Sequence, residues 1–328
     1  MFRAAVYLLA CCSIPLLFAQ HAPLEGPVEG ATFDGPTRSF RTITGSLGSA
    51  FLGPEVLADF DRGSVAPNKN FGVAFRDGRC LLVSALDSPQ PSTTLLPGCF
   101  NVPEDVAWSG DGSTAVLSSR TEGWIQVLTG FPNAVTPADL INVPPGSFLS
   151  AVAADFDGGR IAVGITGDTT GVYRITKDQL LLPILSLMKP AALAFSGDGG
   201  TLYAVDAASS QVFELNMTDL SSQSWPMDGL TDPIAVEPAR DSTMRRVVYI
   251  AGGNDRALLV YDANDHTQIA SVALDFVPTM IVPLGSHGFL LRPRLTNDDT
   301  IWSFADDSPP AIFFVPATPL TSSGGSSR

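Results

Sequence analysis

The feature that most constrains this chain is a repeat. Its best-preserved copy is Ala191–Leu215, which reads as ALAF, a Ser196-Gly197-Asp198-Gly199 turn, TLYAVD, a small-residue turn and QVFEL. Apolar alternation split by Gly, Asp and Ser is the signature of a β-meander. Aligning Val65, Val106, Val152, Leu193, Val236 and Ile281 gives spacings of 41, 46, 41, 43 and 45 residues. A proline stands three residues ahead of four of these positions, at Pro103, Pro190, Pro233 and Pro278. Proline cannot donate to a ladder, so it suits the first residue of a strand. A helical solenoid would show sustained 3.6-residue stripes, and none is present.

A unit of this length with about four short strands predicts a β-propeller blade. One blade has two apolar faces and cannot cover both. A ring of blades can. The expected fold is therefore all-β: a single β-propeller over residues 39–317, with six four-stranded blades. Seven is the alternative, with residues 39–57 supplying part of a further blade at the seam. Residues 20–38, rich in Pro and Gly, read as an extended leader, and residues 318–328 as a flexible tail.

Two segments carry a family resemblance. Ala191–Leu215 and Val247–Asp262 resemble the YVTN/NHL-type propeller repeats of exported bacterial proteins. Those repeats run as a Ser-Pro-Asp-Gly-like turn, a Tyr-containing strand, an Asn/Gly/Ser turn and a strand ending near Asp. The resemblance covers about residues 60–316. It departs where Asn68-Lys69-Asn70 and Leu284-Gly285-Ser286 replace the Asp-Gly turn. It implies the fold and leaves the function open, because propellers host many functions.

Charge narrows the partners. The formal net charge is −14, and the only lysines are Lys69, Lys177 and Lys189. No basic groove is present, so nucleic acid is not an expected partner. The start of the chain reads Met1-Phe2-Arg3, an apolar run from Ala4 to Phe18, then Ala19. This pattern predicts a secretory signal peptide over residues 1–19 and an exported product without a transmembrane segment. A competing reading takes Leu8-Leu9-Ala10-Cys11 as a lipobox, with lipid anchoring at Cys11. Two cysteines lie outside that segment, Cys80 and Cys99. A hairpin turning at Ser88-Pro89-Gln90-Pro91 sets Cys80 opposite Cys99, and a disulfide between them is expected.

The chemistry-bearing residues are few. Asp111-Gly112, Asp157-Gly158 and Asp198-Gly199 read as hairpin turns, where Asp caps and Gly supplies positive φ. A calcium loop would need acids at several alternating positions and a closing Glu. His21, His266 and His287 sit in polar stretches with no nucleophile elbow in the chain. No catalytic residue, metal ligand or cofactor is assigned. Glu237 is the exception within the repeat: its equivalents are Ala66, Ala107, Ala153, Ala194 and Val282. An acid at a small-residue position of an innermost strand marks a channel site, unless it pairs with Arg240, Arg245 or Arg246, or a bulge at Pro238 displaces it.

The function expected is an exported, non-enzymatic binding or protein-interaction module for an unknown protein or small ligand. Two alternatives stand beside it. One is a metal-dependent, lactonase-like propeller hydrolase of the SMP-30 kind, and the other is a self-associating envelope structural protein.

Overall fold

A computed structural model describes residues 28–100, 103–284, 288–292, 301–305 and 310–317. The signal-peptide and lipobox readings, His21, His287 and the tail at 318–328 lie outside the described residues.

The strands form seven sheets, each a blade of one propeller. Blade 1 has β1 (Val28–Asp34), β2 (Ser39–Thr44) and β3 (Phe51–Leu57). Blade 2 has β4 (Arg62–Val65), β5 (Gly72–Arg76), β6 (Arg79–Ser84) and β7 (Ser92–Leu95). Blade 3 has β8 (Asp105–Trp108), β9 (Thr114–Ser119) and β10 (Trp124–Thr129), with two short strands, β11 (Thr136–Pro137) and β12 (Ile141–Asn142), both paired to β10. Blade 4 has β13 (Ser147–Ala154), β14 (Ile161–Gly167), β15 (Gly171–Ile175) and β16 (Leu181–Leu185). Blade 5 has β17 (Pro190–Phe195), β18 (Thr201–Asp206), β19 (Gln211–Asn216) and β20 (Ser222–Pro226). Blade 6 has β21 (Pro233–Arg240), β22 (Arg246–Gly252), β23 (Ala257–Asp262) and β24 (Gln268–Ala273). Blade 7 has β25 (Met280–Leu284), β26 (Gly288–Arg292), β27 (Trp302–Ala305) and β28 (Ile312–Phe314).

Of the two counts the sequence allowed, the structure has seven. The additional blade begins at Val28, inside the stretch read as an extended leader. Its composition hid it. Arg41 and Asp34 are both buried, and Arg41 Nη1 donates to Asp34 Oδ2 at 3.0 Å. Arg41 Nε also donates to the Gly53 carbonyl at 2.7 Å. A charged pair replaces apolar residues at two inward positions, so the alternation that marks the other blades is broken here.

Blade 1 is closed by the other end of the chain. The Leu52 amide donates to the Pro316 carbonyl at 2.9 Å, and Leu52 forms a parallel bridge with Ala317. Ile43, Ala50 and Leu52 pack there against Leu284, Leu290, Ile301 and Val315. The same arrangement recurs around the ring, because each of the seven apolar clusters joins two adjacent blades. Each fully buried Leu, Ile or Phe contributes about 1.5–3 kcal/mol. The core is therefore a set of seven interfaces.

The expected Cys80–Cys99 disulfide is present, with the Cα atoms 5.9 Å apart. The expected register is not. Ser84 pairs with Ser92, and the Leu96 amide donates to the Cys80 carbonyl at 3.0 Å. The chain leaves the sheet early, because Ala85 takes φ +59° and the Leu86 amide donates to the Asn70 carbonyl at 2.8 Å, burying Leu86. Cys99 reaches Cys80 from beyond the strand, through a turn at Gly98 with φ +79°.

Candidate functional site

The innermost strands of blades 2 to 7 enclose a cavity of about 390 Å³ on the propeller axis. Alanine and branched aliphatic residues recur around its wall. The ionisable groups lining it are Asp105, Arg120, Asp155 and Glu237, three acids against one base. Trp108 and Phe156 add aromatic surface, and Phe156 is 52% exposed.

Five of the polar groups lining it are engaged with partners. Arg120 Nε donates to Asp105 Oδ2 at 2.9 Å. Trp108 Nε1 donates to Ser64 Oγ at 3.0 Å. Asp155 accepts the Arg160 amide at 3.0 Å, closing its own hairpin turn. Burial, partly offset by that amide, raises the Asp155 carboxyl above its ordinary range, and the nearby Asp157 raises it further.

Glu237 is different. Side chains alternate along β21, and Ala235 and Ala239 pack toward blade 7, so Glu237 between them is on the blade 7 side. The sequence column holds in blades 3 to 5: Ala107, Ala153 and Ala194 each pack toward the next blade in the same way. Glu237 puts a carboxyl where those blades put a methyl group.

The three arginines that offered Glu237 a partner are engaged elsewhere. Arg240 Nη1 donates to the Met244 carbonyl at 3.3 Å. Arg245 pairs with Asp241 at 2.9 Å. Arg246 Nη2 donates to the Tyr203 hydroxyl at 3.2 Å and is 3.9 Å from Glu214. No bulge occurs at Pro238, where the ladder pairs Glu237 with Tyr249 and Pro238 with Val248. Glu237 is half-buried and lines the cavity. Burial pushes its pKa up to about 8.

The Asp-Gly turns hold as turns. Asp111 Oδ1 accepts the Ser109 hydroxyl and the Ser113 amide, each at 2.8 Å, and Asp198 Oδ1 accepts the Ser196 hydroxyl at 2.6 Å and the Gly200 amide at 3.0 Å. Among the described residues, no group of three His, Cys, Asp or Glu side chains gathers to hold a metal ion. Nor is any helix long and apolar enough to cross a membrane.

His266 lies outside the cavity, between blades 5 and 6. Its ring stacks on Trp225 with centroids 4.1 Å apart, and Nε2 is 3.3 Å from Glu214 Oε2. Tyr203 joins this group through Arg246. Its hydroxyl pKa rises to about 12, chiefly from burial and then from the Glu214 charge. The sequence did not bring out Asp105, Arg120 or Trp108 as cavity residues. Trp108 was the available signal, the largest side chain at an inner-strand position of the repeat.

No family model and no curated protein matches the chain. Solved structures do resemble it. A functionally unknown protein from Desulfotomaculum acetoxidans superposes with a TM-score of 0.60 at 12% identity, covering 88% of this chain and 99% of that one. A Lactobacillus plantarum protein gives 0.60 at 18% identity, with 88% and 95% covered. The dihydro-heme d1 dehydrogenase NirN, in complex with DHE, gives 0.54 at 14% identity; 86% of this chain matches 63% of that one, so this chain spans less than two thirds of its length. At these identities the likeness is one of fold. The fold defines the class, a seven-bladed β-propeller.

Proposed function

We propose that the protein is an exported, non-enzymatic binding module on a YVTN/NHL-type propeller, presenting its central cavity to a ligand or partner. One observation carries the reading. Asp105 is paired with Arg120, Ser64 with Trp108, and among the described residues Glu237 has no hydrogen-bonding neighbour. General acid–base or nucleophilic catalysis needs a second group within hydrogen-bond reach of the first. Metal-assisted hydrolysis needs ligands that converge. A lone carboxyl in a small-residue wall fits recognition better than turnover. The export part of the proposal is supported by the apolar run from Ala4 to Phe18 behind Arg3.

The test combines a panel of lactones and esters with amino-terminal sequencing after expression in a bacterial host. The expected results are no turnover and a mature chain starting near residue 20. Turnover lost on chelation and restored by a divalent ion would replace this reading with the lactonase-like one. Light scattering addresses self-association, and a monomer is expected.

A further inference from the structure

The cavity holds a carboxyl, Glu237, that no other described group answers. We infer that Glu237 anchors a binding site for a small organic monocation, an alkylammonium whose apolar body lies along the alanine-lined wall. The inference rests on the reading of the cavity as a binding site, and it names the ligand class.

The charge around Glu237 points to a cation. The strands packed against β21 are β17, β18, β22 and β25. Neither β17 nor β25 carries an ionisable residue. On β18, Asp206 accepts the Lys189 amide at 2.7 Å and the Ser209 hydroxyl at 2.9 Å, while Tyr203 is held by Arg246. On β22, Arg246 faces that same cluster, and Tyr249 stands opposite Glu237 in the ladder. Among the described residues, therefore, no cation pairs with Glu237. With Asp105 paired to Arg120, the carboxyls left without a cation across the cavity are Asp155 and Glu237. Low-dielectric walls focus such a field.

The remaining chemistry selects the kind of cation. Calcium and magnesium take six or more oxygen ligands and zinc four donors, and one carboxyl supplies two at most. An alkylammonium needs one counter-charge and an apolar surface for its chain. Ala107, Ala153 and Ala194 provide that surface at the level of Glu237, and Trp108 offers an aromatic face. A volume of about 390 Å³ is within the range of small-molecule pockets.

The carboxyl's raised pKa adds a signature. Near neutral pH most of it is protonated, so a bound ammonium must expel a proton. Apparent affinity then falls about tenfold for each pH unit below about 8 and levels off above it.

The full chain is titrated calorimetrically with n-butylammonium, and with butan-1-ol as the neutral isostere, near pH 6 and near pH 9. Two buffers of different ionisation enthalpy count the protons released. The expected result is binding of the amine over the alcohol, tighter near pH 9, with close to one proton released near pH 7. Glu237→Gln should weaken the amine by at least about tenfold while melting as a folded protein. An Nα-acetyl-lysine amide run in parallel distinguishes a protein-borne lysine from a free amine, and binding of either with this pattern supports the inference. No binding of either amine, equal binding of butan-1-ol, or an unchanged Glu237→Gln titration overturns it. Those outcomes leave the binding-module reading standing, because that reading is decided by the turnover panel.

Discussion

Glu237 and Arg41 handle buried charge in opposite ways. Arg41 is answered by Asp34, and no described residue answers Glu237. The Glu237 carboxyl has an ordinary pKa of 4.5 and a folded value of about 8, so between these values the folded state binds more protons than the unfolded one. Its contribution to stability is therefore full below about pH 4.5 and declines as pH rises toward 8, by at most about 1.4 kcal/mol per unit. Glu237→Gln should match the wild type near pH 4 and exceed it near pH 9, a difference read by urea denaturation at the two pH values. Arg41→Met leaves the Asp34 carboxylate buried without its cation and should cost about 3–5 kcal/mol in the same assay. The sequence marked Glu237 as an acid in a column of small residues. Its isolation was not legible, because Arg240, Arg245 and Arg246 lie close by in sequence. Only the structure shows that all three point to other acceptors.

Strands and turns were legible where apolar alternation ran unbroken and obscure where a polar group replaced it. Blades 2 to 7 keep the alternation; β1 and β2 interrupt it with Asp34 and Arg41, so β1 falls in the stretch expected to be leader, while β2 and β3 fall in residues 39–57, expected at the seam. The disulfide was reached by a correct pairing on an incorrect register, since sequence does not show that Asn70 draws Leu86 out of the ladder. The bond closes a 19-residue separation between β6 and the segment leading to blade 3. Replacing both cysteines by serine should cost about 3 kcal/mol, measured as a lower denaturation midpoint without loss of strand content. Asp206, which resembles a simple turn former, also accepts the amides of Met188 and Lys189 at the start of blade 5. Asp206→Ala leaves those amides unsatisfied and should cost about 1–3 kcal/mol, seen as faster hydrogen exchange at Met188 and Lys189.

For the whole molecule, the ring is the unit of stability. Each blade buries its two faces only against its neighbours, and the last of the seven interfaces needs both chain termini. A chain ending at Pro310 lacks β28 and the Pro316–Leu52 hydrogen bond. It should lose the single cooperative unfolding transition and gain protease cuts in blades 1 and 7, which limited proteolysis would show. The repeat revealed a ring from the outset. It could not reveal the seam, because the seam joins residues from opposite ends of the chain. That junction also sets a clock on biosynthesis. Until Pro316 and Ala317 leave the ribosome, the nascent protein is an open arc with an unpaired strand edge on β3 and two uncovered apolar faces. A chaperone that shields such an arc has its work at the end of translation, and chains stalled before Pro316 should stay bound to it while completed chains are released.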